Sequence, residues 1–308
     1  MRILVLGATG YLGGHVAGRL RALPGTRLLV GGRSPGADVT VDLAADRPQA
    51  LTRALASVAP DAVVNCAGAT GADAVTLAEV NARGPALLCA ALREAAPAAR
   101  LVHLGSAAEY GPGIPGVRVT ESDPVGPAGP YGATKLAGTV AVTASGLDAV
   151  VLRVGNPVGP GAPPTGLPGR VAALLAGAGS DPDATVRLGD LSAHRDFVDV
   201  RDVARAAQLA ATAVGPLPPL LNIGGGEAIP VRELVRRLAV VAGFRGRVVE
   251  AGGGGSARSA QVSWQCSDIT AAHAALGWRP SHGLDASLKA LWAAAGARSA
   301  GPEGVPVT

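Results

Sequence analysis

Tyr131 and Lys135 stand four residues apart in PYGATK, and Ser106 ends the upstream run LVHLGS. Each of these residue types suits one task in adding hydride to a carbonyl. The reduction builds negative charge on oxygen and needs a proton. A tyrosine hydroxyl, with an ordinary pKa of about 10, can give that proton once its pKa is lowered. A nearby ammonium lowers it by favouring the phenolate. A serine hydroxyl donates a hydrogen bond to the developing oxyanion. Tyrosine occurs only 3 times in 308 residues, so abundance does not account for the pair. The segment reads as a helix starting near Pro130, and residues four apart share one face of a helix. The alternative is a helix-surface tyrosine and lysine with no joint role.

Hydride chemistry needs a dinucleotide, and the chain opens on a place to hold one. RILVL (2–6) is a short apolar run, read as a buried parallel strand. Gly7, Gly10 and Gly13 follow, and then HVAGRLRAL has helical spacing. In such a strand-turn-helix the first glycine permits the tight turn, the second lets the backbone approach a pyrophosphate, and the third lets helix and strand pack closely. The helix N-terminus offers N–H groups and partial positive charge to phosphates. With 44 glycines in the chain, the spacing alone is a weak signal, and the strand and helix around it supply the required context. The next strand is RLLVGG (27–32). Where an NAD-preferring enzyme carries an acid for the ribose hydroxyls, this chain has Arg33 and Ser34. A guanidinium matches a 2′-phosphate, so NADPH is expected over NAD(H). The alternative is an ordinary surface arginine at a strand end. Asp42 and Leu43 are expected to end a third strand near the adenine. VVNCAG (63–68) ends a fourth, where Cys66, Ala67 and Gly68 allow close backbone approach. LVHLGSAAEYG (101–111) is a fifth strand breaking into a loop, with Ser106 at its carboxyl edge.

Strands and helices alternate to about Asn156. This predicts an α/β fold, a doubly wound parallel sheet of the Rossmann kind, with a smaller C-terminal substrate-binding lobe. Residues 1–156 form the dinucleotide-binding domain and 195–214 return to it as a strand and helix. Residues 157–194 and 215–299 form the smaller lobe, and 300–308 are expected to be a disordered tail. AGGGGSARSA (251–260) is read as a flexible loop, either a lid or plain surface. At 48% hydrophobic the chain can fill a sizeable core. The net charge of +4 is scattered, without the basic runs of a nucleic-acid binder. Cys66, Cys89 and Cys266 lie far apart, which argues against a disulfide framework and for the cytoplasm. The five histidines show no ligand spacing, so no metal is expected. There is no signal-peptide layout and no stretch that would span a bilayer.

These motifs together resemble the extended short-chain dehydrogenase/reductases, the group of nucleotide-sugar epimerases, dehydratases and reductases. The resemblance covers nearly the whole chain. It rests on Gly7, Gly10 and Gly13, on Ser106 to Gly111, on Tyr131 and Lys135, and on LRVGNPVGPG, HRDFVDVRDVARA, LNIGGGEAIPVRELV and ALGWRP. Within the group the texture is closest to nucleotide-sugar 4-ketoreductases such as GDP-4-keto-6-deoxymannose reductases. The resemblance implies that Thr9, Tyr11 and Leu12 also line the cofactor, and that Lys135 holds the nicotinamide ribose. It implies substrate contacts at Glu109, Asn156, Arg195 and Arg258, with Arg195 on the nucleotide diphosphate and Arg258 on phosphate. It also implies a homodimer through the helix after Asn81 and the helix carrying Tyr131, where Ala137, Gly138 and Val142 suit close packing. Family 4,6-dehydratases carry an Asp-Glu pair directly after the catalytic Ser/Thr; here Ala107 and Ala108 stand there, so dehydration lacks its acid and base.

The expectation is therefore an NADPH-dependent ketoreductase of a nucleotide-linked 4-keto-6-deoxy sugar. An NAD-dependent nucleotide-sugar epimerase shares every catalytic residue and differs at the Arg33 argument. A ketoreductase of a non-sugar, polyketide-type ketone is a third reading. A non-catalytic nucleotide sensor on this fold is a fourth, although such relatives commonly lose the tyrosine or lysine that this chain keeps.

Overall fold

The computed structural model describes residues 1–251 and 262–299. The first half of the chain alternates strand and helix: β1 (Arg2–Leu6), α1 (Tyr11–Arg21), β2 (Arg27–Gly32), β3 (Val39–Thr40), α2 (Pro48–Val58), β4 (Ala62–Asn65), α3 (Ala74–Ala78), α4 (Gly84–Ala95), β5 (Arg100–Ser106), α5 (Pro130–Thr143) and β6 (Ala149–Val154). A π-helical turn at Glu79–Arg83 joins α3 to α4, and a 3-10 turn at Ala107–Glu109 follows β5. The second half supplies β7 (Asn156–Val158), α6 (Leu167–Ala178), β8 (Thr185–Leu188), β9 (His194–Asp199), α7 (Val200–Thr212), β10 (Leu220–Ile223), β11 (Ala228–Pro230), α8 (Val231–Val241), β12 (Arg247–Glu250), α9 (Thr270–Leu276) and α10 (Leu284–Ser299).

Among the described residues, seven parallel strands form one sheet in the order β10-β6-β5-β4-β1-β2-β3. The doubly wound parallel sheet expected from the sequence is the sheet observed. Its strands are buried on both faces, which is why they read as unbroken apolar runs rather than alternating ones. One face packs on α1 and α7 through Val16, Leu20, Val203, Ala207 and Trp278. The alanines of α7 recur at helical spacing, and their small side chains let α7 lie close on α1. The other face packs on α2 and α4 through Leu51, Leu55, Leu88 and Leu92. The strand order reverses beside β1, between β1 and β4. The crevice beyond the carboxyl ends of β1, β4 and β5 is therefore where a ligand fits.

A second core joins α6, α8 and α10 through Val171, Leu175, Leu234, Leu238 and Leu288. Two small sheets border it, β11-β9-β7 and β12-β8. The division of the chain differs from the expected one at two places. β9 pairs with β7 and β11 rather than with the large sheet, so only α7 of residues 195–214 returns to it. Residues 220–223, expected in the smaller lobe, pair with β6 as the seventh strand of the large sheet, and Trp278 and Ala272 pack beneath it. Both places depend on partners far away in sequence.

Two smaller expectations are also corrected. Strand β3 stops at Thr40, because the Asp42 carboxylate accepts the Ala44 N–H at 3.0 Å and the Asp42 N–H donates to Asp46 at 2.8 Å, closing a turn. On α5, Gly138 and Val142 face inward; Gly138 is closed against Asn81 and Pro85, and Val142 belongs to the core. The outward face of α5 carries Ala133, Ala137 and Val140 instead. Arg258, most of the 251–260 loop and the 300–308 tail lie outside the described residues.

Candidate active site

The glycine loop fits a dinucleotide by what its backbone forbids. Gly7 sits at φ +77°, and a Cβ there would come within 2.7 Å of the Ala67 nitrogen at the end of β4. A Cβ on Gly13 would strike the Gly7 carbonyl, so α1 closes on the loop only because that side chain is absent. Gly10 caps α1 with no side-chain hydrogen bond, which leaves the first-turn N–H groups facing the crevice without a protein cap. A pyrophosphate is the group that such a cradle accepts.

Ser106 ends β5, where the strand gives way to the 3-10 turn. Its Oγ accepts the Ala108 N–H at 3.2 Å, and its own N–H donates to Glu109 Oε1 at 2.7 Å. This reciprocal arrangement is a capping box. The Ser106 hydroxyl keeps its proton to offer elsewhere, since the Oγ serves Ala108 as acceptor. Glu109 is wholly buried, and its Oε2 accepts Arg153 Nε at 2.7 Å. The Arg153 guanidinium lies 4.4 Å over the Tyr110 ring, whose hydroxyl donates to Asn222 at 2.8 Å. The expected substrate contact at Glu109 is thereby corrected. The side chain faces the interior, with one oxygen on the Ser106 backbone and the other on Arg153.

Tyr131 and Lys135 lie one turn apart at the start of α5. Lys135 is buried, and its Nζ donates to the Leu104 carbonyl at 2.6 Å. Burial pulls the Lys135 ammonium down from 10.5 to about 8, against the opposing charge of Glu109. Burial pushes the Cys66 thiol up to about 12. His103, on β5, pairs with the Asn65 amide at 3.1 Å, and burial together with the Lys135 charge keeps it well below the ordinary imidazole range.

Ser106, Tyr131 and Lys135 line one cleft of about 680 Å³. Gly10, Tyr11 and Leu12 line it too, as do Cys66, Ala67 and Gly68. Asn156 and Arg195 line it from the second lobe. Asn156 donates to Gln265 at 2.8 Å. Arg195 is almost buried, donates to the His194 carbonyl at 2.8 Å, and is held below the usual guanidinium range by that burial. Thr9 lines a shallower groove beside the loop, with His15 and Gly161. Arg33 and Ser34 are exposed beyond β2, outside the cleft wall. The acid nearest them in sequence, Asp38, accepts the Val30 N–H at 2.7 Å. Leu43 is buried against Gly84 rather than lining the cleft.

Sequence reasoning passes over several cleft residues, among them Thr165, Arg170, Asp190 and Gln265. Thr165, Arg170 and Gln265 lie in segments without a motif signal, and Asp190 stands just ahead of HRDFVDV in LGDLSAHRDFVDVRDV, where the sequence gives it no role. It also gives no role to Asp196, which is fully buried and accepts the Gly225, Gly226 and Ser267 N–H groups. Burial raises its carboxyl despite those bonds. The run Gly224 to Gly226 exists around it, because Cβ atoms on Gly224 and Gly225 would meet the Asp196 carboxylate. Asp196 thereby ties β9, the Gly turn and the 262–267 wall of the cleft together.

The fold and this site define an NAD(P)-dependent enzyme of the extended short-chain dehydrogenase/reductase type. Residues 3–224 match the NAD dependent epimerase/dehydratase family, and the chain belongs to that family. It is 37% identical over 305 residues to the dTDP-6-deoxy-L-talose 4-dehydrogenase (NAD(P)(+)) of Kitasatospora kifunensis, covering 95% of each chain. It is 30% identical to the UDP-glucose 4-epimerase of Azospirillum brasilense, over 79% of this chain and 78% of that one. A solved structure of RMD from Pseudomonas aeruginosa complexed with NADPH superposes with a TM-score of 0.82 at 25% identity, over 96% of this chain and 99% of that one. These similar proteins include nucleotide-sugar dehydrogenases and epimerases, and NAD(P) stands in the name of the first and NADPH in the RMD complex.

Proposed function

We propose that the protein is an NADPH-dependent ketoreductase that reduces the keto group of a nucleotide-linked 4-keto-6-deoxy sugar. The observation that carries this reading is the meeting of Ser106, Tyr131 and Lys135 in one cleft that Arg195 also lines. Bound along the glycine loop, a reduced nicotinamide supplies the hydride that the carbonyl carbon receives. Tyr131 gives its hydroxyl proton to the carbonyl oxygen. Ser106 donates a hydrogen bond to that oxygen, and Lys135 stabilises the phenolate that Tyr131 becomes. Asn156 and Arg195 hold the substrate, with the Arg195 guanidinium on the nucleotide diphosphate. Ala107 and Ala108, directly after Ser106, offer no acid or base for eliminating water. The relative from Kitasatospora kifunensis is named for a redox change at carbon 4 of a 6-deoxy sugar on a dTDP carrier, which is this reaction in reverse.

The preference for NADPH follows from Arg33 and Ser34 at the end of β2, where the nearest acid is engaged by Val30. Leu12, Cys66, Ala67 and Gly68 are assigned to the cofactor, and Arg258 to substrate phosphate. The assembly we assign is a homodimer through α4 and the outward face of α5, and the location is the cytoplasm. Cys66, Cys89 and Cys266 are free thiols, and among the described residues no helix is long and apolar enough to cross a membrane. An epimerase reading is carried by the similarity to UDP-glucose 4-epimerase, since both reactions use the same catalytic residues. Single-turnover oxidation of NADPH by a dTDP- or GDP-linked 4-keto-6-deoxy sugar tests the proposal. Interconversion of UDP-glucose and UDP-galactose with no net cofactor turnover would replace it with the epimerase.

A further inference from the structure

The catalytic lysine is not alone beneath the cleft. Lys135 and Arg153 are both buried, at 5% and 4% exposure, on the side of the sheet covered by α4 and α5. Two cations in one unsolvated layer oppose each other, and each would be expensive to bury unpaired. One carboxylate stands with them. Glu109 Oε2 takes the Arg153 guanidinium, and Glu109 Oε1 takes the Ser106 N–H. Its carboxylate reaches this place over Gly105, where a Cβ would come within 2.8 Å of both Glu109 Oε1 and Val151. The carbonyl that precedes Gly105, that of Leu104, is the one the Lys135 ammonium grips. Glu109 and Lys135 therefore both bond the backbone of one short stretch of β5, where the Glu109 charge favours the ammonium.

We propose that Glu109 is a positioning residue of this site, fixing Ser106 by its backbone and supplying the negative charge that keeps the buried Lys135 an ammonium beside the Arg153 cation. The inference rests on the reading of Lys135 as the ammonium that serves Tyr131. The other groups around Lys135 do not supply that charge. Tyr131 lies on its own helix and Cys66 at the end of β4, its thiol pushed up to about 12 by burial. His103 on β5 is held neutral by burial and by Lys135 itself. Arg93 on α4 bonds the Ser145 carbonyl, and Cys89 lies with them, its thiol pushed up to about 11 by burial. Arg83 of the π-helical turn bonds carbonyls of Leu43, Ala44 and Asp46. Glu79 is exposed, and Asp73 caps α3.

The chain has two lysines, Lys135 and Lys289, so the test needs no substrate and no cofactor. Lysine labelled with 13C at Cε gives two resonances, and Lys289→Arg assigns them. In the wild-type protein the Lys135 signal is expected to titrate at about 8. Glu109→Gln keeps an oxygen for the Ser106 N–H and removes the charge. It is expected to lower the proton affinity of Lys135 roughly tenfold or more, the size of effect that a close opposite charge exerts. Arg153→Gln removes the competing cation and is expected to move Lys135 the opposite way. Movement in opposite directions supports the inference, because loosening of the fold would move both variants toward the ordinary lysine value. An unchanged or raised Lys135 titration in Glu109→Gln overturns it. If that variant does not fold, Arg153→Gln is read against Val151→Ala, which loosens the same face and removes no charge, and a Lys135 midpoint no higher than in that control overturns the inference. Failure here leaves the ketoreductase reading standing, and failure of the NADPH assay leaves this one standing.

Discussion

Lys135→Met separates the stability of this fold from its chemistry. The substitution keeps an unbranched chain of similar size and removes the ammonium. Burial moves Lys135 from 10.5 in the open chain to about 8 in the fold. That depression corresponds to ~3 kcal/mol, the penalty of holding the charge out of water. The sign follows from the direction. A depressed folded value means that the unfolded chain binds the extra proton between the two values. Stability from this group is full above 10.5 and is lost as the pH falls through about 8. The variant avoids that loss but leaves the Leu104 carbonyl without its 2.6 Å donor, a deficit of ~1–2 kcal/mol. Lys135→Met is thus expected to be about 1–2 kcal/mol more stable than wild type at about pH 7 and less stable by a similar amount above about pH 10. Its turnover is expected to be lost at every pH. Urea unfolding of both proteins across this range measures the difference, and groups common to both cancel. A stability difference that stays constant from neutral to alkaline pH would refute the reasoning.

Other outcomes test the remaining parts. Tyr131→Phe removes only the proton donor, and turnover should fall about 10²–10⁴-fold while nucleotide binding survives in a fluorescence titration. Ser106→Ala should lower turnover on the order of 10²-fold in the same single-turnover assay. Arg33→Asp should weaken NADPH by roughly 1.5–3 kcal/mol and spare NADH; equal affinities for both nucleotides in the wild type would remove the argument. Asp202 binds the Ser281 N–H and hydroxyl, the His282 N–H and ring, and Arg205, so Asp202→Asn should destabilise the protein by about 2–4 kcal/mol in calorimetry. Burial pushes the Asp202 carboxyl up, but the Ser281 and His282 bonds outweigh it and hold it below the ordinary value. Its stabilisation is accordingly present above the usual carboxylate range and lost as acid protonates it, and the gap between variant and wild type should close at low pH.

The parts of the site that are legible in the sequence are those made by neighbours along the chain. The glycine loop sits between β1 and α1, Ser106 ends a strand, and Tyr131 and Lys135 share one helical turn. Each depends on a few consecutive residues, so the local pattern carries it. Glu109 is not legible in this way, because the same capping box can present its carboxylate either to a ligand or to the interior. Arg153, 44 residues away, decides which. The place of β10 is hidden for the same reason: LLNI reads as a buried strand anywhere, and its partner β6 is named only by the tertiary fold. Asp196 reads as one more acid in a charged motif, and its role emerges only where the glycine turn, Ser267 and β9 share it.

The late arrival of β10 has a consequence for the ancestry of such enzymes. The seventh strand of the cofactor sheet, helix α7 and Trp278 all come from sequence that follows the first entry into the smaller core. A gene fragment ending at β6 would leave Leu152 and Val154 without the cover that Leu221, Ile223 and Ala207 provide. It would also expose β6 as an unpaired apolar strand edge, a template for aggregation. The two halves of the enzyme are therefore not exchangeable blocks. Recombination that traded substrate lobes by a single crossover would strand part of the cofactor sheet in the donor. New specificities on this scaffold are expected to arise by substitution and by loop insertion within the smaller lobe, with the interleaved strands left in place.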